Sequence, residues 1–180
     1  MKNKIEEIIE IPEGVTCIHA NGRFSCEKSG VKVEREMILP RVDTKIESGK
    51  ITITAEKGNK IQLKLIKSYV AHIKNMFKGM GKKFEYHLEA CNVHFPMTMK
   101  LDGNKLIINN FLGEKVPRFA VISPGVNVEI KGQKILVSSH NRELAGQTMA
   151  NIEKATKVRN RDRRIFQDGI FLTERPGRDI

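Results

Sequence analysis

Two stretches of the chain alternate between apolar and polar residues. They cover 44–54 and 127–138, and a Gly-containing turn, Ser48-Gly49 or Lys131-Gly132, divides each of them. Alternation of period two is typical of half-buried strands, so each stretch predicts a β-hairpin. The pairs Asn21-Gly22 and Asp102-Gly103 lie further upstream and are typical of tight hairpin turns. The chain is therefore predicted to be rich in short antiparallel strands.

A stretch with helical periodicity follows each alternating stretch. In the first, apolar residues recur every four positions: Ile61, Leu65, Tyr69, Ile73 and Phe77. In the second, Leu144, Thr148, Ile152 and Ala155 recur in the same way, and Asn141 is a candidate N-cap. An apolar stripe of this kind predicts a helix that packs against a sheet.

The second half of the sequence repeats the first. Residues 38–42 (ILPRV) align with residues 122–126 (ISPGV), and at the same offset Ile46 aligns with Ile130 and Ile51 with Ile135. Later, Ile73 aligns with Ile152 after a shorter loop. Two copies indicate a duplication and not a solenoid, which needs more repeats.

The repeat and the periodicities together predict an α+β fold. We expect an internal duplication with two similar domains, each made of small antiparallel or mixed sheets packed on one helix. The predicted domains are residues 1–82 and residues 83–175, followed by a flexible tail at 176–180. The strand predicted at 84–90, after the first helix, is interpreted as the last strand of the first copy that runs into the second domain.

The charge balance points to an anionic partner. The 180 residues carry 32 Lys and Arg against 21 Asp and Glu, a net charge of +11. A basic segment at 157–164 (KVRNRDRR) has five basic residues in eight. Arg presents a planar fork that matches phosphate geometry, and crowded guanidinium groups are best tolerated where anionic oxygens lie between them. The alternative interpretation is a solvated charged turn.

The aromatic content favours structured RNA over single strands. The chain has no Trp and two Tyr, and no aromatic residue interrupts the basic segment. Single-strand binders usually stack bases on aromatic rings, whereas structured RNA is bound through phosphates, 2′-hydroxyls and shape. No apolar run is long enough for a transmembrane helix, so no membrane partner is expected.

Little in the sequence suggests catalysis, a metal or a cofactor. His87, Cys91 and His94 do not fall on one face of a strand, and zinc needs four convergent ligands. The Gly-Met-Gly-Lys-Lys run at 79–83 follows a helix, so we interpret it as a helix end and not as a phosphate loop. The three cysteines, Cys17, Cys26 and Cys91, are predicted to be buried, reduced thiols. We predict that the protein is not an enzyme and takes no small-molecule substrate.

Two runs near the C-terminus resemble a known family. Residues 146–153 (GQTMANIE) and 161–171 (RDRRIFQDGIF) are similar to the C-terminal signature of the large-subunit ribosomal protein six family, in its archaeal and eukaryotic type. The resemblance extends over essentially the whole chain, including the duplication. It implies a structural component of the large ribosomal subunit, located in the cytoplasm on the ribosome. The implied partners are the last domain of large-subunit rRNA, near the sarcin–ricin loop, and ribosomal proteins near the base of the factor-binding stalk.

The same resemblance implies which residues contact RNA. The positions that match the family motif are Lys154, Lys157, Arg159, Arg161, Arg163 and Arg164, with Arg175 and Arg178 as further contacts near the C-terminus. The alternative function is an RNA-binding or RNA-chaperone module outside the ribosome.

Overall fold

The alternating and helical stretches fold as two separate groups of elements. The computed structural model describes residues 3–38, 40–47 and 49–179, without the side chains of residues 3, 57, 178 and 179. The chain divides into two units, Met1–Lys82 and Lys83–Ile180. The first unit contains the strands β1 (Asn3–Glu10), β2 (Thr16–Ala20), β3 (Arg23–Lys28), β4 (Val31–Glu36), β5 (Asp43–Glu47) and β6 (Lys50–Gly58) and the helix α1 (Lys60–Gly81).

The second unit repeats this order of elements and adds to it. It contains β7 (Phe84–Cys91), β8 (Thr98–Asp102), β9 (Lys105–Asn109), β10 (Arg118–Val121), β11 (Asn127–Lys131), β12 (Lys134–Ser139), the helix α2 (Arg142–Ala155), β13 (Gly169–Arg175) and β14 (Arg178–Asp179). A short 3-10 turn covers Phe111–Gly113.

Strand connectivity confirms the predicted duplication and fold class. The first unit has sheets of order β1-β6-β5 and β2-β3-β4, and the second repeats them as β7-β12-β11 and β8-β9-β10. All of these pairings are antiparallel. The fold is therefore α+β, with small antiparallel sheets and one α-helix in the described part of each unit.

The strand after α1 has a different place from the one predicted. β7 pairs with β12 on one side and β13 on the other, so it lies inside the sheet of the second unit and does not close the first copy. β7 corresponds to β1 of the first unit. β1 pairs with β6 and β7 pairs with β12, and β6 and β12 are each the last strand before the helix of their unit. The chain thus passes from α1 to β7 through two residues, Lys82 and Lys83, whereas residues 156–168 connect α2 to β13. The long basic connection is consequently a feature of the second unit.

The aligned positions of the two copies are buried. Ile51 and Ile135 are 0% and 1% exposed, and Ile73 and Ile152 are 1% and 0% exposed. Each unit has its own apolar core around them. Ile61, by contrast, is 63% exposed. A spacing of four advances about 40° per step around a helix, so a row that reaches the buried face at Ile73 starts outside that face at Ile61.

Both helices begin at an asparagine. Asn141 is the N-cap of α2 as predicted, since its Oδ1 accepts hydrogen bonds from the backbone N–H of Glu143 and Leu144. Asn59 caps α1, and the Gln62 side chain in return accepts the Asn59 backbone N–H. At the other end of α1, the Lys82 N–H donates to the Lys78 carbonyl at 3.0 Å, so the glycine-rich run is a helix end.

The tight turns largely follow the predicted positions. Asn21 and Gly22 both have positive φ, 51° and 70°, as a type I′ hairpin requires. The turns at Asp102 and Lys131 fall one residue later than predicted, because both residues still pair in their strands. Ser48 lies outside the described residues.

Two glycines of the second unit are explained by close packing. A Cβ atom at Gly146, inside α2, would lie 3.3 Å from the Tyr86 hydroxyl oxygen of β7. At Gly169 it would lie 2.9 Å from the Phe171 ring. Gly169 is the first residue of β13, where the backbone packs against this ring.

The C-terminal segment pairs with the sheet of the second unit. Arg178–Asp179, in the segment predicted to be a flexible tail, pairs with Glu174–Arg175 as a short strand.

Within the described residues, neither α1 nor α2 is long and apolar enough to cross a membrane.

The three cysteines are thiols in different surroundings. Cys17 and Cys26 lie opposite each other on β2 and β3, with their Sγ atoms 3.0 Å apart. Their mutual hydrogen bond raises the pKa of Cys26 and lowers the pKa of Cys17. Cys26 is buried, Cys17 is half-buried and Cys91 is exposed, so the prediction that all three are buried is correct only for Cys26.

We predict that all three cysteines are unpaired in the native protein. Intact mass spectrometry of freshly purified protein should show no gain of two hydrogens on reduction. Replacing all three residues with Ser should leave RNA binding unchanged, because none of them carries charge toward a phosphate. A mass gain on reduction would show instead that Cys17 and Cys26 are joined.

Candidate nucleic-acid interface

The basic segment is held at its N-terminal end by Thr156, the residue that directly follows α2. The side chain of Thr156 is buried, and its Oγ1 donates to the Glu153 carbonyl and accepts the N–H of Ile170 at 2.9 Å. One hydroxyl thus joins the end of the helix to the start of β13. The connection from 157 to 168 is a closed loop whose two ends meet.

Arg118 of β10 fixes the first residues of this loop. Its Nη1 donates to the carbonyls of Ala155 at 3.0 Å and Lys157 at 3.3 Å, at the helix end where carbonyls lack partners within the helix. The guanidinium also makes two hydrogen bonds to Glu114 and lies 4.3 Å above the Phe111 ring. The hydrogen bond from Arg118 lowers the pKa of the Glu114 carboxyl, so Glu114 remains an anion beside the arginine.

Sequence reasoning missed Arg118. The sequence pattern around Arg118 is a Glu four residues earlier, Glu114, and Glu–Arg pairs at this spacing are common on solvated surfaces. The carbonyls that it caps lie 37 and 39 residues further along the chain.

Asp168 fixes the other end of the loop. Its side chain is 1% exposed and accepts the backbone N–H groups of Val93 and His94 at 2.8 and 3.0 Å. Its second oxygen lies 2.6 Å from the His94 Nδ1. Burial alone would raise the pKa of this carboxyl, but the three hydrogen bonds outweigh burial and lower the pKa. Asp168 is therefore a buried anion that ties the loop to the end of β7.

A stack of side chains leads from Asp168 back to the basic segment. The His94 ring stacks on Phe166 with centroids 5.1 Å apart, and the Arg161 guanidinium lies 4.8 Å from the centroid of the same ring. Phe166 therefore positions Arg161 and is itself positioned by His94. This order reduces the side-chain entropy that Arg161 would lose on meeting a phosphate.

Asp162 organises the middle of the segment. Its carboxylate accepts the Arg164 backbone N–H at 3.0 Å and pairs with the Arg164 guanidinium at 3.0 Å. The side-chain hydrogen bond from Arg164 lowers the pKa of Asp162. The Asp162 carbonyl accepts the N–H groups of Ile165 and Phe166, which forms a turn. The acidic residue of the segment thus shapes it and partly neutralises one arginine.

Some of the residues predicted to contact RNA meet at one cleft of about 840 Å³. Its basic members are Lys154, Lys157, Arg163 and Arg164. Arg159 and Arg161 are exposed on the same loop but do not line the cleft, and Arg175 is exposed on β13. The side chain of Arg178 lies outside the described part of the structure. The floor of the cleft is apolar and includes Val158, Ile170 and Phe171.

No metal centre is formed by the described side chains of His, Cys, Asp and Glu, which nowhere converge in groups of three or more. His94 contacts Asp168 instead, and the His87 Nε2 lies 3.8 Å from Glu174.

We predict that the stability of the second unit depends on the charge of Asp168. Because the folded-state pKa is lowered, this contribution is complete above the ordinary Asp pKa of about 4 and is lost as pH falls through the lower folded value. Asp168→Asn should cost about 1–2 kcal/mol near neutral pH, since hydrogen bonds to charged groups are stronger than neutral ones. The cost should vanish below the folded pKa, where wild-type Asp168 is neutral as well.

Urea unfolding of both proteins between pH 2 and pH 7 measures the difference. Glu85→Gln, a carboxyl-to-amide change at an exposed position of β7, is the control and should show a small and nearly constant difference. A cost for Asp168→Asn that stayed constant across this range would contradict the assignment.

The fold and the loop define a class of protein: a basic, duplicated α+β protein with an ordered arginine loop suited to a polyanion. Comparison with known proteins identifies the family within this class. Residues 95–169 match the family model described as Ribosomal protein L6.

Three relatives carry the name large ribosomal subunit protein uL6. The protein from Methanococcus vannielii is 46% identical over 175 residues, which are 97% of this chain and 96% of the relative. Those from Methanothrix thermoacetophila and Methanosarcina mazei are 44% and 38% identical and cover 95% and 97% of this chain and 99% of each relative. The chain belongs to the ribosomal protein L6 family, which confirms the resemblance seen in the C-terminal runs.

Proposed function

We propose that this protein is a structural component of the large ribosomal subunit and binds its rRNA through the loop 157–164 and the end of α2. Membership of a ribosomal protein family makes the chain a ribosomal protein, and its place is the ribosome in the cytoplasm. The observation that carries the rRNA part is the loop itself: five basic residues within eight, held at both ends by Thr156, Arg118 and Asp168.

The chemistry of the loop favours backbone contacts over base stacking. One face of the Phe166 ring is stacked by His94, and the ring also carries the Arg161 guanidinium, so it is not a free platform for a base. The exposed guanidinium and ammonium groups are suited to phosphate oxygens. Structured RNA, recognised by shape and phosphates, is the partner that fits.

The predicted RNA contacts are Lys154, Lys157, Arg159, Arg161, Arg163 and Arg164, with Arg175 and Arg178 at the end of the chain. We further propose that the site lies on the last domain of large-subunit rRNA, near the sarcin–ricin loop, as the resemblance implies. Its protein neighbours would be those at the base of the factor-binding stalk.

Sedimentation tests the proposal directly. Tagged protein expressed in an archaeal host should remain with large subunits after a high-salt wash, because many phosphate contacts act together with subunit packing. Chemical footprinting of the rRNA in those subunits should then show protection in the last domain. Protein that left the subunits in the wash, while still binding RNA when free, would indicate an RNA-binding module outside the ribosome.

A further inference from the structure

The first unit carries a row of lysines along one side of α1. Over this helix of 22 residues there is no Asp or Glu. At about 100° per residue, the five lysines of the row fall within about 40° of one line along the helix. These residues, called the lysine stripe here, are Lys60, Lys64, Lys67, Lys74 and Lys78.

All five stripe lysines are exposed. Among the described residues, none of their ammonium groups lies within ion-pair distance of a carboxylate. Other lysines of the same unit do form such pairs, for example Lys32 with Glu34 at 2.6 Å. The buried face of α1, around Ile66, Ile73 and Met76, points away from the stripe into the core.

This arrangement opposes the stability of the helix. Like charges four residues apart on a helix repel each other, and the stripe contains two such pairs, Lys60–Lys64 and Lys74–Lys78. A lysine in the first turn also opposes the helix dipole, and the first turn has no acidic residue. An ordinary solvated helix face relieves such repulsion with Glu or Asp at the same spacing. An anion that binds the stripe would relieve it here.

The dimensions of the stripe suit an extended polyanion. From Lys60 to Lys78 the helix rises about 27 Å. Ala71 lies on the same line in the gap between Lys67 and Lys74, so a small exposed side chain allows close approach at the middle. A single small anion would engage one or two of these lysines, whereas a nucleic-acid strand can run along all of them.

We propose that the lysine stripe is a second RNA-binding surface, on the first unit, for the phosphate backbone of structured RNA. Lysine is depleted in protein–protein interfaces, which favour aromatic residues and Arg. The stripe has neither, and it offers no ring for a single-stranded base. The inference rests on the proposed function in that the RNA is taken to be large-subunit rRNA, and it adds contacts that the family motif at the C-terminus does not include.

The test compares two triple variants of the full chain, using a transcript of archaeal large-subunit rRNA as the probe. Lys64→Gln, Lys67→Gln and Lys74→Gln remove the centre of the stripe. Lys32→Gln, Lys45→Gln and Lys50→Gln, on exposed strand positions of the same unit, remove the same charge. Gln is a good helix former, so circular dichroism should show both variants folded.

The stripe variant should lower the slope of log affinity against log salt by about 2–3, at about 0.7–0.9 for each phosphate contact. The control should lower it by less than about 1, since its lysines act only at long range. Equal changes in the two variants, or no change in the stripe variant, would overturn the inference.

Lysine acetylation read by mass spectrometry gives a second measurement at single residues. Bound RNA should protect Lys64, Lys67 and Lys74 but not Lys32. Protection by polyglutamate as strong as that by RNA, at equal charge concentration, would indicate an acidic protein partner and overturn the assignment to RNA.

A loop variant in which Arg161, Arg163 and Arg164 are all replaced with Gln, measured in the same series, separates the two proposals. If that variant kept wild-type binding while the stripe variant lost it, the C-terminal site would fail and the stripe would stand.

Discussion

Replacing Arg161, Arg163 and Arg164 together with Gln is expected to weaken RNA binding strongly while leaving the fold intact. The three side chains are exposed, so the apolar core is undisturbed. The loop keeps its fixed ends, because Thr156, Asp168 and Arg118 are unchanged. The backbone N–H of residue 164 can still donate to Asp162, so the turn is retained as well.

The size of the effect follows from counterion release. Removing one phosphate-binding side chain should reduce the slope of log affinity against log salt by about 0.7–0.9, so removing three should reduce the slope by about 2–3. The measurement is a filter-binding or mobility-shift titration at several salt concentrations, with circular dichroism to verify folding.

A matched control separates specific phosphate binding from general charge. Lys100, Lys131 and Lys134 are exposed strand residues of the same unit, and their triple replacement with Gln removes the same charge. We expect the control to retain most of the wild-type slope. If the arginine variant, shown to be folded, kept wild-type affinity and slope, the C-terminal RNA site would have to be abandoned.

Truncating the aligned core isoleucines is the second change with a large expected effect. Ile73→Ala and Ile152→Ala should each cost about 2–5 kcal/mol of unfolding free energy, because a buried cavity adds to the lost transfer energy. Both side chains are at most 1% exposed, and each faces the core of its own unit. Urea unfolding followed by circular dichroism measures the cost.

Ile61→Ala is the control for these truncations. Ile61 lies on the same helix as Ile73 but is 63% exposed. The control change should therefore stay within about 0.5 kcal/mol of wild type. Similar costs for Ile61 and Ile73 would contradict the position of the buried face of α1.

Some features of this protein were determined by local sequence alone. The period-two stretches formed hairpins, and Asn141 capped α2, because these structures depend on residues close together in the chain. The internal repeat gave information beyond local sequence, because it aligned Ile51 with Ile135 and Ile73 with Ile152 without any knowledge of their packing. The basic loop between α2 and β13 was likewise recognisable from its high local content of Lys and Arg.

Contacts between distant residues were decided by the tertiary structure. The partner of Asp168 is His94, 74 residues earlier, and no period or motif joins them. Arg118 caps α2 from another strand, and β7 enters the sheet of the second unit because both its edges find partners there. The same applies to Ile61, whose exposure depends on which side of α1 meets the sheet. Local patterns specify elements and their faces, whereas side-chain partners depend on how the elements pack, which is a property of the whole unit.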